Sequence, residues 1–180
     1  MKKFSISRIS ALLVVLLSFQ GVNSQSLSSI KRPDPLTITM QINYSEWAQG
    51  NRYEAITFSD SDNVAESLRD SISKRRGRRF NSTVKRNQEL IWNWEITKPG
   101  KNENLHIVLI SVMRQPDTEN DIILTQPWYN SEDGGETIKG ETRRAFKGGA
   151  EEHYLISFAV SNGEGGFDTY TIDPLITGHM

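Results

Sequence analysis

Apolar side chains recur at every second position along several stretches of this chain, and that period commits it to half-buried strands. From 36 to 44, Ile38, Met40, Ile42 and Tyr44 fall on one face, and Thr37, Thr39, Gln41 and Asn43 on the other. From 90 to 96, Leu90, Trp92, Trp94 and Ile96 alternate with Ile91, Asn93 and Glu95. Tyr154, Ile156, Phe158 and Val160 repeat the pattern, and the Asn-Gly-Glu-Gly-Gly turn at 162–166 sends the chain back through 167–172. Asp173-Pro174 ends or bends that last strand, and the hairpin from 154 to 176 is the firmest tertiary expectation. Residues 105–113 are apolar on both faces, as a central strand is. Shorter candidates lie at 53–59 and 121–125, and 127–150 reads as a long loop holding short strands. The period changes between 60 and 80. Asn63 and Glu66 have capping-box spacing, Val64, Leu68 and Ile72 recur every four residues, and Gly77 can close the element. This predicts one amphipathic helix at about 64–75, with Lys74, Arg75 and Arg76 in the last turn, where the macrodipole favours cations. The whole predicts a mainly β chain, a single β-sandwich over 36–180 with one inserted helix.

Ahead of that domain stands an export signal. Lys2, Lys3 and Arg8 precede an apolar run from 9 to 19, and Val22-Asn23-Ser24 offers a cleavage site before Gln25. The run is shorter than the ~20 apolar residues that span a bilayer, so 1–24 reads as a signal peptide and the mature chain as lacking a transmembrane anchor. The polar segment 25–35, with two prolines, reads as a flexible leader. The expected location is periplasmic or extracellular, and the composition has a bacterial look. The net charge of −1 becomes −4 when the three cations of the signal peptide are removed. A mildly acidic chain lacks the electrostatic footprint of a nucleic-acid binder. There is no cysteine. An exported domain without disulfides depends on its core and backbone hydrogen bonds, and thiol catalysis and thiolate metal sites are excluded.

The strands that read Leu-Ile-Trp-Asn-Trp at 90–94, Tyr-Leu-Ile-Ser-Phe-Ala-Val at 154–160 and Tyr-Thr-Ile-Asp-Pro-Leu-Ile at 170–176 follow an order that resembles the bacterial AidA/PixA inclusion-body family. More broadly, residues 88–176 resemble cupredoxin-like sandwiches. The resemblance implies a sandwich of the immunoglobulin or cupredoxin-like kind and implies no reaction. Copper does not carry over, because the cupredoxin cysteine is missing.

Candidate chemistry is sparse. His106, His153 and His179 have no partner at metal-ligand spacing, and no nucleophile-elbow motif occurs. His106 and His153 can meet only if their strands are neighbours. Asp60-Ser61-Asp62-Asn63 and Glu132-Asp133-Gly134-Gly135-Glu136 offer oxygens but not the offsets of a calcium loop. Lys74-Arg75-Arg76-Gly77-Arg78-Arg79 concentrates cations suited to phosphates, anionic lipid headgroups or acidic polysaccharide, or else ends a solvated helix. Trp92 and Trp94 share one face of a strand whose stripe argues for burial. Trp47 and Trp128 stand in loop-like contexts and suit an exposed contact, with Tyr129 beside Trp128.

These observations predict an exported, non-catalytic β-sandwich acting as a binding or envelope-associated module, with no cofactor, metal or catalytic residue assigned. The ligand-contact candidates are Trp128 and Tyr129 for an aromatic contact and Arg75, Arg76, Arg78 and Arg79 for an anionic one. The expected partners are a polysaccharide, an anionic lipid surface or another envelope protein, and no nucleic acid. One alternative is a hydrolase or metal-assisted enzyme using His106 or His153. Another is a self-associating structural subunit.

Overall fold

The computed structural model describes residues 31–52, 54–61, 80–97, 105–115, 122–162 and 164–179, with the backbone alone of 63–67. The chain divides after Lys31, and the described strands all belong to the unit Arg32–Met180. They are β1 (Leu36–Asn43), β2 (Ile56–Asp60), β3 (Asn63–Ser67), β4 (Asn81–Val84), β5 (Glu89–Thr97), β6 (Ile107–Arg114), β7 (Trp128–Asn130), β8 (Thr137–Glu141), β9 (Glu151–Ser161), β10 (Phe167–Ile172) and β11 (Leu175–Gly178). One sheet runs β3-β2-β1-β5-β8 and the other β4-β11-β9-β6-β7, with β10 also on β9. Both are mixed: β1 pairs β5 in parallel, as β11 pairs β4, and the remaining pairs are antiparallel. The chain is a mainly β sandwich with little helix, as the period-two pattern predicts.

The alternation in the sequence becomes the division between core and surface. On β1, Leu36, Ile38, Met40 and Ile42 are buried and their neighbours are half-exposed. Burying such a side chain contributes about 1.5–3 kcal/mol, so the stripe fixes the register of β1 between β2 and β5. On β9, Tyr154, Ile156, Phe158 and Val160 are buried on the facing sheet. β10 and β11 continue one register along β9, with Ile172 opposite Ile156 and Leu175 opposite His153. Asp173-Pro174 interrupts them because proline has no N–H to give the ladder, while its carbonyl accepts the Tyr154 N–H at 3.2 Å. This is the expected hairpin with its expected bend.

On β6 the register shifts by one between Leu109 and Ser111. Ile110 is the extra residue of a β-bulge and is 40% exposed. Before it the inward residues are Ile107 and Leu109; beyond it Val112 is buried and Arg114 is largely covered. The bulge therefore turns Arg114 toward the interior.

Two expectations are corrected. Residues 64–67 belong to β3, not to a helix. Asp60 pairs with Asn63, and Ser61 N–H donates to the Thr37 carbonyl at 3.0 Å. Edge pairing to β2 overrides the four-residue apolar period. The rest of the expected helix, 68–75, lies outside the described residues. The helix that is present, α1 (Tyr44–Ala48), begins where the β1 pattern stops. Asn43 Oδ1 accepts the Ser45 N–H at 3.1 Å and caps it, so Tyr44 does not extend the strand.

Candidate functional site

The edge at which β7 and β8 close the sandwich carries one of two well-exposed large aromatics among the described residues, the other being Phe167 on β10. β7 is short, and its alternation sends Trp128 and Asn130 outward and Tyr129 inward. Trp128 is 51% exposed and Tyr129 only 7%. The indole is held, since its Nε1–H donates to Asn130 Oδ1 two residues on. Tyr129 packs its ring against Trp92 at 5.9 Å between centroids. Its hydroxyl accepts from Gln126 N–H at 2.9 Å and donates to the Glu141 carbonyl at 3.2 Å, with Thr125 Oγ1 at 2.9 Å. Gly140 permits this packing: a Cβ there would lie 2.7 Å from the Trp92 ring and 3.1 Å from the Tyr129 ring.

A groove of about 520 Å³ runs along this edge. Trp128 and Asn130 line one part of it, and Thr125 and Gln126 another. Arg32, Glu89, Glu132, Lys139 and Glu141 supply its charges. Glu89 and Glu141 stand directly opposite each other across β5 and β8. Arg32 answers that repulsion, with Nη2 2.9 Å from Glu141 Oε1 and Nε donating to the Asn87 carbonyl at 3.2 Å. The lining thus combines one apolar aromatic face with amide, hydroxyl and charged groups that can bond a polar ligand.

The other sequence candidates fall elsewhere. Trp47 is not an exposed contact: it is 4% exposed, turned inward by α1 and set edge-on to Tyr170 at 5.0 Å. Arg52 covers it, with its guanidinium carbon 4.5 Å from the ring centroid and a hydrogen bond to the Trp47 carbonyl. The groove of about 530 Å³ beside it is walled by Tyr44, Arg52, Asn162, Asp168 and Tyr170. Trp92 is in the core at 1% exposure, as its stripe predicts. Trp94 is partly buried, with Nε1–H donating to the Gly135 carbonyl at 3.0 Å. Arg75, Arg76, Arg78 and Arg79 lie outside the described residues.

The strands of His106 and His153 are neighbours, but the register holds the two histidines apart. The His106 carbonyl accepts the Ser161 N–H at 2.8 Å, and the His153 carbonyl accepts the Gln115 N–H at 3.1 Å. They sit at opposite ends of the β6–β9 pair, roughly 26 Å apart along the strand. His179 is at the end of β11, its N–H donating to the Val84 carbonyl at 2.7 Å. Among the described residues no three His, Asp or Glu side chains gather in a metal-ligand group. Within the second acidic run Asp133 Oδ2 accepts the Thr137 hydroxyl at 2.9 Å, and Asp60 of the first run is the last residue of β2, paired with Asn63. Among the described residues no helix is long and apolar enough to cross a membrane.

Sequence reasoning missed Arg32, Glu89 and Glu141 as groove residues, because only the β1–β5–β8 pairing brings them together. It also missed Glu152, which sits fully buried on the same parity as Tyr154. A charged residue continuing an apolar stripe is the signal that marks it. No model of a known protein family matches this chain, and no curated protein matches it in sequence.

Proposed function

We propose that this domain is a binding module that acts outside the cytoplasm and engages an uncharged, hydroxyl-rich polysaccharide along the Trp128 groove. One observation carries this reading: Trp128 offers a half-exposed indole face, fixed by Asn130, inside a groove with a polar lining. An aromatic face stacks on the apolar face of a pyranose ring, and the surrounding amides, hydroxyls and charges bond the sugar hydroxyls. A ring already held in place loses little freedom on binding. The groove also disfavours a polyanion. Glu89, Glu132 and Glu141 outnumber Arg32 and Lys139, and Arg32 is engaged with Glu141.

Affinity electrophoresis of the full chain through gels containing laminarin (a neutral β-glucan), polygalacturonate or no glycan tests the reading. Retardation by laminarin that Trp128→Ala abolishes is the expected result. Equal mobility of both proteins in every gel removes the proposal, and retardation by polygalacturonate alone moves the function to an anionic ligand.

A further inference from the structure

Glu152 lies on β9 two residues before Tyr154, and its side chain is fully buried. A carboxylate in such a place is costly unless donors meet it, and an apolar residue would fill the position without that cost. The donors come from a strap, residues 122–126, that leads into the Trp128 groove. Glu152 Oε2 accepts the N–H of Ile123 at 2.5 Å and of Leu124 at 2.7 Å. Arg114 on β6 brings Nε to 2.6 Å from Oε1, an ion pair whose N–H is not aimed at the oxygen. Arg143, beyond β8, adds positive charge on the same carboxylate, and its own N–H and Nε bond the Ile123 and Leu124 carbonyls at 2.7 and 3.3 Å. From β11 the residue opposite is the uncharged Ile176.

The strap belongs to no strand; it makes an isolated bridge from Leu124 to Thr142. The next two residues, Thr125 and Gln126, form a wall of the groove and bond the Tyr129 hydroxyl. We infer that Glu152 is the positioning residue of the Trp128 groove: its buried carboxylate grips the Ile123 and Leu124 amides and so sets the Thr125–Gln126 wall against which a glycan lies. This rests on the reading of the groove given above and adds to it a residue that no ligand touches.

The test compares the full-length wild type, Glu152→Gln and Trp128→Ala. Glutamine keeps the shape and one acceptor but sets an NH₂ against either Arg114 or the strap amides. In Glu152→Gln, hydrogen exchange at Ile123 and Leu124 is expected to speed up about tenfold relative to Ile156 and Phe158, the worth of a charge-assisted hydrogen bond. Laminarin affinity is expected to fall by a similar factor. Unchanged exchange at Ile123 and Leu124, or faster exchange with wild-type affinity, overturns the inference. If Trp128→Ala binds laminarin as the wild type does, the function reading fails, while the exchange data still judge the grip of Glu152. Should Glu152→Gln not fold, wild-type exchange at the two amides decides: rates well below those of unbonded loop amides are expected, and rates as fast as those overturn the inference.

Discussion

Two grooves of nearly equal volume, about 520 and 530 Å³, each carry a tryptophan, and only one offers it to solvent. Trp128 stands on the outer face of a three-residue edge strand, 51% exposed. Trp47 hangs from the capped turn of α1 against Tyr170, under the guanidinium of Arg52, and is 4% exposed. Trp47 has the cation and the aromatic neighbour of a binding site, but its own protein supplies both. The contrast teaches that a concave aromatic site is defined by which face remains unpaired. Volume and residue content alone do not separate the two.

Truncating each indole should break the symmetry in opposite ways. Trp47→Ala removes a buried ring and its edge-on contact with Tyr170, and should cost about 3–5 kcal/mol of stability. A urea midpoint close to that of the wild type would mean that Trp47 is a surface group after all. Trp128→Ala should leave stability within about 0.5 kcal/mol, because the ring is largely outside the core. Its effect belongs to binding: about 2 kcal/mol, or roughly thirtyfold in laminarin affinity, the scale of a tryptophan hot spot. Isothermal titration of both variants with laminarin sharpens the comparison. Equal losses from the two would deny the groove at Trp128 its special standing.

The comparison also shows which parts of the molecule can be read from the chain. The stripes Leu36-Ile38-Met40-Ile42 and Tyr154-Ile156-Phe158-Val160 are strands because alternation is a local property that survives folding. The expected helix gives way over 64–67, where a local four-residue period meets a nonlocal competitor, the β2–β3 ladder. Trp47 and Trp128 both stand in polar, turn-like sequence, and their difference comes from a cap at Asn43 and a strand edge at β7. Sequence adjacency makes Tyr129 a contact candidate beside Trp128, yet strand alternation sends adjacent residues to opposite faces, and the Tyr129 ring lies inward. The bulge at Ile110 is likewise invisible in an all-apolar run, and it decides that Arg114 meets Glu152.

That buried pair separates the strap from the rest of the core by its response to pH. Burial raises the Glu152 pKa above its ordinary 4.5, and this outweighs the lowering by the Leu124 and Ile123 amides and by Arg114 and Arg143. The folded chain therefore holds this proton more tightly than the unfolded chain does. The stability it contributes is fully present below 4.5 and is lost as pH rises through the folded value. Urea unfolding of the wild type and Glu152→Gln from about pH 4 to about pH 8 isolates the effect, since glutamine cannot titrate. The wild-type advantage should shrink with rising pH. An advantage that grows instead would show that the donors around Glu152, not its burial, set its proton affinity.

The smallest effect concerns the residue that ties the segment before β1 to the groove. Arg32 is about half exposed, and an exposed ion pair is worth at most about 1 kcal/mol. Its removal nonetheless leaves Glu89 and Glu141 facing each other across the β5–β8 ladder, an arrangement that is itself unfavourable. Arg32→Ala should therefore lower the urea midpoint slightly at low salt, and the loss should fade as salt screens the two carboxylates. If the loss persists undiminished in high salt, Arg32 acts through its hydrogen bond to the Asn87 carbonyl and the packing of its stem. In that case the Trp128 groove, like the one at Trp47, is shaped by a guanidinium that serves the fold, and the charge balance of its lining carries less of the choice of ligand.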